Sequence, residues 1–300
     1  MNNPKTLIRA FLLFMLLAGN AKAQVIMPGK QDTGTAIQSL NGTWRFKYIP
    51  SLSVGEDSLF YQTDFDAKSW KHIRVPGNWE LQGFTEPRYG SEVIAGTGLY
   101  RTAFQLPAAW MNREIFLAFD GVLYGYDVWV NGKFAGSWGS SFNRQMFDIS
   151  KYVIAGKSNS LAVKVTTRNK GWDFDTNDCW GLSGIFRDVT LFSVPPVHIK
   201  DFTVKTNVND KSAQVSISVL LERNKEADAP QNLTLTGKLY APEGKVVGEL
   251  PPSNPHLPEK SDTTTLFKSL KLTNPQTWSA ETPELYTLEL SLKSNGREIQ

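Results

Sequence analysis

The sequence has a single cysteine, Cys179, in 300 residues, so no disulfide can form within the chain. Packing alone must therefore hold the fold. Its three histidines, His72, His198 and His256, are far apart, and with one cysteine they offer no zinc-type ligand spacing. No glycine-rich cradle falls between a strand and a helix, which excludes a phosphate-binding loop. No apolar run reaches the ~20 residues a membrane-spanning helix needs. Charge is scarce and balanced: residues 1–23 hold three of the 32 basic residues and no acid, leaving 29 of each sign beyond them. No basic stripe remains to meet a polyanionic backbone, so nucleic acid is excluded as a partner. Internal repeats and low-complexity tracts are also missing, and at 41% hydrophobic residues disorder is excluded.

What the sequence does hold begins with an address. Lys5 and Arg9 precede the apolar stretch from Ala10 to Ala18, and Ala21-Lys22-Ala23 closes it. A charged start, a short apolar core and an A-x-A site read as a secretory signal peptide over residues 1–23. The mature chain is then expected from Gln24, in the periplasm or outside the cell, with residues 24–38 as an N-terminal extension.

Helical periodicity is scarce beyond that point, and short alternating runs recur between Gly, Pro, Asn and Asp. Residues 114–119, 126–130 and 160–166 are the clearest strands. Asn131-Gly132 between two such runs signals a hairpin, because both turn positions favour positive φ. Val194-Pro195-Pro196-Val197 marks a domain boundary, since a proline pair cannot continue a central strand. Six further strand patterns follow over about 100 residues, as an immunoglobulin-like sandwich requires. Ser294-Asn295-Gly296 then turns into a seventh, which stops at Gln300. The fold class is all-β: a jelly-roll sandwich over 39–195, then an immunoglobulin-like sandwich over 196–300 that is expected to be incomplete in its last strand.

Several stretches resemble one family in its own order. They are Leu40-Asn41-Gly42-Thr43-Trp44, Val75-Pro76-Gly77-Asn78-Trp79-Glu80, Tyr100-Arg101-Thr102-Ala103-Phe104, and Phe119-Asp120-Gly121-Val122 with Val128-Trp129-Val130-Asn131-Gly132. The most specific is Ser183-Gly184-Ile185-Phe186-Arg187-Asp188-Val189. Asn274-Pro275, Trp278 and Pro283-Glu284-Leu285-Tyr286 continue the series. Together they resemble the N-terminal region of the β-galactosidase/β-glucuronidase glycoside hydrolases (family two), with the β-galactosidase branch favoured. The resemblance implies retaining hydrolysis of terminal β-galactosides by a following barrel that carries the catalytic glutamates. This chain is expected to lack that barrel, to be inactive alone, and to serve as the sugar-binding and scaffold portion of the parent, with contacts between copies in a homo-oligomer. The alternatives are a non-catalytic carbohydrate-binding or cell-surface β-sandwich protein, or a parent of the β-glucuronidase or β-mannosidase type.

The loop holding Asp173, Asp175 and Asp178 between Trp172 and Trp180 is the candidate sugar site. Carboxylates accept hydrogen bonds from sugar hydroxyls, and indole faces pack on the C–H face of a ring. Retaining hydrolysis needs two carboxyl groups ~5–5.5 Å apart on rigid support, and a loop is poor support for such a pair. No catalytic residue is therefore assigned here. Asp178, Trp180 and Asp175 are the substrate-binding candidates. The resemblance points to Asp178 in particular, and implies a monovalent cation beside it in some members. No cofactor is required by this chain. The β-galactosidase branch carries a sugar-binding Asn in a loop corresponding to residues 87–97; that Asn is missing here, and Glu92 reads as an exposed loop carboxylate more than as its polar substitute. Arg187 is expected to pair with an acid inside the sandwich. Trp44, Trp129 and Trp138 read as core or interface residues, and Cys179 as a small buried hydrophobe.

Overall fold

The computed structural model describes residues 37–89, 94–169, 175, 178–209, 211–224, 232–257 and 263–300. The leader, most of the extension, Glu92, Trp172 and Asp173 lie outside the described residues. Strands open with β1 (Ile37–Ser39), β2 (Gly42–Ile49), β3 (Lys71–Val75), β4 (Arg88–Tyr89) and β5 (Thr97–Gln105). Next come β6 (Glu114–Phe119), β7 (Val122–Leu123), β8 (Gly125–Val130), β9 (Lys133–Trp138), β10 (Gln145–Asp148) and β11 (Ser158–Thr166). β12 (Trp180–Gly181), β13 (Gly184–Ile185) and β14 (Val189–Val194) complete the first sandwich.

Its two main sheets run β1-β14-β6-β10 and β3-β2-β5-β11-β8-β9. One core fills the space between them. Leu117, Phe119 and Leu191 come from the first sheet, and Phe46, Tyr100, Val128 and Val163 from the second. Alternation explains the choice, because the period of two sends every other side chain inward. The Asn131-Gly132 hairpin forms as expected between β8 and β9, with φ of 49° and 75°. Of the three tryptophans assigned to core or interface, Trp44 is fully enclosed. Trp129 packs beside Phe60 and Tyr61. Trp138 ends the edge strand β9 and stands 39% exposed.

The second sandwich holds β15 (Val197–Asn209), β16 (Ser212–Arg223), β17 (Leu233–Tyr240), β18 (Val246–Ser253), β19 (Thr263–Thr273), β20 (Thr287–Ser294) and β21 (Arg297–Glu298). They form sheets β15-β16-β19 and β18-β17-β20-β21 around a separate core that includes Ile217, Val219, Leu235 and Leu292. β18 runs through Pro251 and Pro252 because it lies at a sheet edge, where a missing N–H breaks no ladder bond. The fold is all-β: a jelly-roll sandwich and then an immunoglobulin-like one. Among the described residues no helix is long and apolar enough to cross a membrane.

Candidate functional site

Two motifs distant in sequence are laced together at one end of the jelly roll. Gly77 N–H donates to the Ile185 carbonyl at 2.8 Å, and Trp79 N–H to the Ser183 carbonyl at 3.0 Å. Ser183 N–H in turn donates to the Glu80 carboxylate at 2.8 Å. Burial pushes the Glu80 carboxyl up, while the bonds it accepts oppose that shift. β13 pairs with β7, which fixes Gly184 and Ile185 against Val122 and Leu123. Gly184, at φ 108°, leaves no room for a side chain beside Trp79 and Tyr100. Residues 178–185 therefore leave a rigid base.

Above that base, β12 pairs with β4, setting Trp180 opposite Tyr89. Their rings meet edge to face at 5.7 Å, and both stand more than half exposed. The Tyr89 hydroxyl donates to Asp178 Oδ1 at 2.8 Å. That bond is the main reason the Tyr89 phenol is shifted up from its ordinary value. Asp178 sits at φ 49°, a left-handed conformation that aspartate tolerates better than most residues. An exposed carboxylate with one oxygen steadied by a phenol keeps lone pairs free for hydroxyl donors. Beside it the Trp180 indole offers an apolar face. The arrangement suits a polyhydroxylated ring with one polar edge and one C–H face.

Asp175 is placed differently. Its Oδ2 accepts from both the Ser141 N–H, at 3.1 Å, and the Ser141 hydroxyl, at 2.7 Å. It anchors the loop with that oxygen. Cys179 is part-buried and makes a long sulfur contact to the Asp175 carbonyl, at 3.7 Å. Among the described residues Arg187 does not take the expected acid: it donates to the Phe142 carbonyl and lies over the Phe142 and Phe186 rings. The two-pronged ion pair near this corner belongs to Arg144 and Asp120, at 2.6 and 2.9 Å.

Sequence reasoning missed Tyr89, Glu80 and Ser141. Glu80 opens a single 3-10 turn after Trp79, too short to show a pattern of burial. Tyr89 acquires its role only through a two-residue ladder, too short to show periodicity. For a monovalent cation beside Asp178, the described residues supply one carboxylate already holding Tyr89, and no group of three acidic, histidine or cysteine ligands. They do not form a cation site by themselves.

Comparison with known proteins follows the same division of the chain. The family model for the sugar binding domain of glycosyl hydrolases family 2 matches residues 37–195, and a second model, for glycosyl hydrolases family 2, matches 197–300. A β-galactosidase of Priestia megaterium is 34% identical over 292 residues, covering 90% of this chain and 28% of that protein. A β-galactosidase of Clostridium acetobutylicum is 33% identical over 293 residues, covering 90% of this chain and 31% of its own length. Among solved structures, a Bacteroides uniformis β-glucuronidase superposes with a TM-score of 0.76 at 25% identity, covering 88% of this chain and 31% of that one. The chain thus spans less than a third of the length of these relatives.

Proposed function

Because this chain belongs to glycosyl hydrolases family 2, we propose that it is the sugar-binding and scaffold portion of an exported glycosidase of the β-galactosidase type. The parent would hydrolyse terminal β-galactosides with retention, through carboxylates on a barrel segment beyond this chain. On this reading Asp178 accepts hydroxyl donors from the sugar and Trp180 packs on its ring. Asp175 contributes through Oδ1, its other oxygen being committed to Ser141. Any cation at Asp178 would draw its remaining ligands from the barrel. Subunit contacts in a homo-oligomer fall within the same reading.

The observation that carries the proposal is the Tyr89–Asp178–Trp180 constellation, an oriented carboxylate beside an exposed indole. The relatives named as β-galactosidases, at 34% and 33% identity over 90% of this chain, support a galactoside as substrate. The test is to assay the complete protein that carries this segment on nitrophenyl β-galactoside, β-glucuronide and β-mannoside. Galactoside turnover should dominate, and Asp178→Asn should raise KM for it. Dominant glucuronide turnover, or an Asp178→Asn variant with unchanged kinetics, overturns the reading. The 300-residue chain alone should show no turnover.

A further inference from the structure

The second sandwich carries a surface that the galactoside site does not use. Phe267 on β19 is the most exposed large apolar side chain among the described residues, at 78%. It stands on the outer face of sheet β15-β16-β19, where the register places Thr203, Ser218 and Phe267 in one row across the three strands. The next row is Lys205, Ser216 and Ser269, and the one after it Asn207, Gln214 and Lys271. A shallow cavity of about 540 Å³ lies over this face. Hydroxyls from Thr203, Ser216, Ser218 and Ser269 border it, along with Lys205, and among the described residues no carboxylate does. Among the described residues, the nearby acid Asp201 lies a row beyond Thr203, on the side away from Lys205 and Lys271. The face is thus polarised along the strands, with an aromatic platform in the middle and cations toward one end.

We propose that this face binds a sulfated polysaccharide, a sugar ring stacking on Phe267 and a sulfate ester meeting Lys205 and its hydroxyl neighbours. Strand spacing of ~4.8 Å and a same-face repeat of ~6.7 Å put the Phe267 and Lys205 backbones roughly 12 Å apart. The lysine stem shortens that gap to the span of a ring and its substituent. Sulfate is favoured over a uronate by the donor set. A planar carboxylate is best read by the arginine fork, whereas separate single donors from an ammonium and several hydroxyls suit an oxyanion with three spread oxygens. Neutral glycans would leave the lysines without a partner. The surface lies on a different sandwich from Asp178, so the proposal does not rest on the galactosidase reading.

The experiment is affinity electrophoresis of the full 300-residue chain in native gels containing a soluble sulfated galactan, a neutral galactan or polygalacturonate. Retardation should be strong with the sulfated galactan, weak with the other two, and should fall as salt is raised. Phe267→Ala should lower the affinity about three- to tenfold, and Lys205→Gln about tenfold, with unfolding curves unchanged because both side chains are exposed. Asp178→Ala should leave the retardation as it was. Equal retardation by polygalacturonate, or wild-type retardation of Phe267→Ala, overturns the proposal.

Discussion

Gly184→Ala separates two effects that the jelly roll combines at one position. Gly184 has φ 108°, and a methyl there would lie 2.7 Å from Trp79 Nε1 and 2.8 Å from the Tyr100 hydroxyl. Those two groups are hydrogen-bonded to each other and fully enclosed, so neither can yield cheaply. Backbone strain for a non-glycine residue at positive φ costs about 1–2 kcal/mol. Overpacking in a filled core adds about 1–3 kcal/mol. Gly156→Ala isolates the first effect, since Gly156 has φ 69° and nothing within 4 Å of its added methyl. Gly98→Ala isolates the second, its methyl falling 2.4 Å from Trp79 Cζ2. The expected losses are therefore about 1–2 kcal/mol for Gly156→Ala and about 2–5 kcal/mol for Gly184→Ala. For a domain of this size that difference lowers Tm by several degrees, at about 2–4 °C per kcal/mol. Urea unfolding followed by tryptophan emission reads it cleanly, because Trp278 is the only tryptophan beyond residue 195. A Gly184→Ala variant as stable as Gly156→Ala would refute the packing argument.

The remaining predictions concern the site and the domain junction. Tyr89→Phe removes the donor to Asp178 Oδ1 and leaves the ring beside Trp180. In the complete glycosidase, KM for galactoside should rise about three- to tenfold with thermal stability unchanged. Glu80→Ala orphans the buried Ser183 N–H and should cost about 1–3 kcal/mol in urea unfolding, whereas Glu80→Gln keeps an acceptor and should cost less. Glu114 lies at the junction, where burial first, then Asp148 and Glu222, push its carboxyl up to about 7, against the opposing effects of Asn224 and Lys200. A raised carboxyl favours the folded state at low pH; that contribution is complete below its unfolded value and is lost as pH rises through 7. Wild-type Tm should fall between pH 5 and 8, and Glu114→Gln should flatten that fall. An unchanged slope in the variant would assign the dependence to other groups.

Much of the architecture was legible because it rests on local signals. The stretch 114–119 reads as a strand from its apolar content, and it is one. The proline pair at 195–196 sits between the end of β14 and the start of β15, because neither residue can supply a central ladder N–H. The site was legible only in part. Asp178 and Trp180 could be named from residue type and neighbourhood, but the partner that orients Asp178 lies 89 residues away. No periodic pattern predicts that pairing, since β4 and β12 have two residues each. Asp175 looked equivalent to Asp178 by composition, yet Ser141, 34 residues upstream, takes one of its oxygens. Arg187 was misassigned because it lies between β13 and β14 with its side chain exposed, where it meets the Phe142 carbonyl and two rings instead of an acid inside the sandwich.

The same geometry explains why the two most recognisable motifs, Val75–Glu80 and Ser183–Val189, have to be considered as one unit. Each bond between them uses a backbone group that would otherwise be stranded where the two main sheets separate: Gly77 to Ile185, Trp79 to Ser183, and Ser183 to Glu80. An unpaired buried N–H costs about 1–3 kcal/mol, so these contacts are kept by necessity at the corner of the sandwich. Trp79, fully enclosed, then packs against Gly98 on β5 and against Gly184, which ties the corner to the central sheet. Asp178 lies only five residues before Ser183, and the intervening stretch is pinned again by the Trp180–Tyr89 pair. The carboxylate is thus presented from a loop, but a loop held at both ends by bonds whose loss the core would feel. On the proposed reading, that is the support Asp178 needs to bind sugar when a barrel segment supplies the rest of the site.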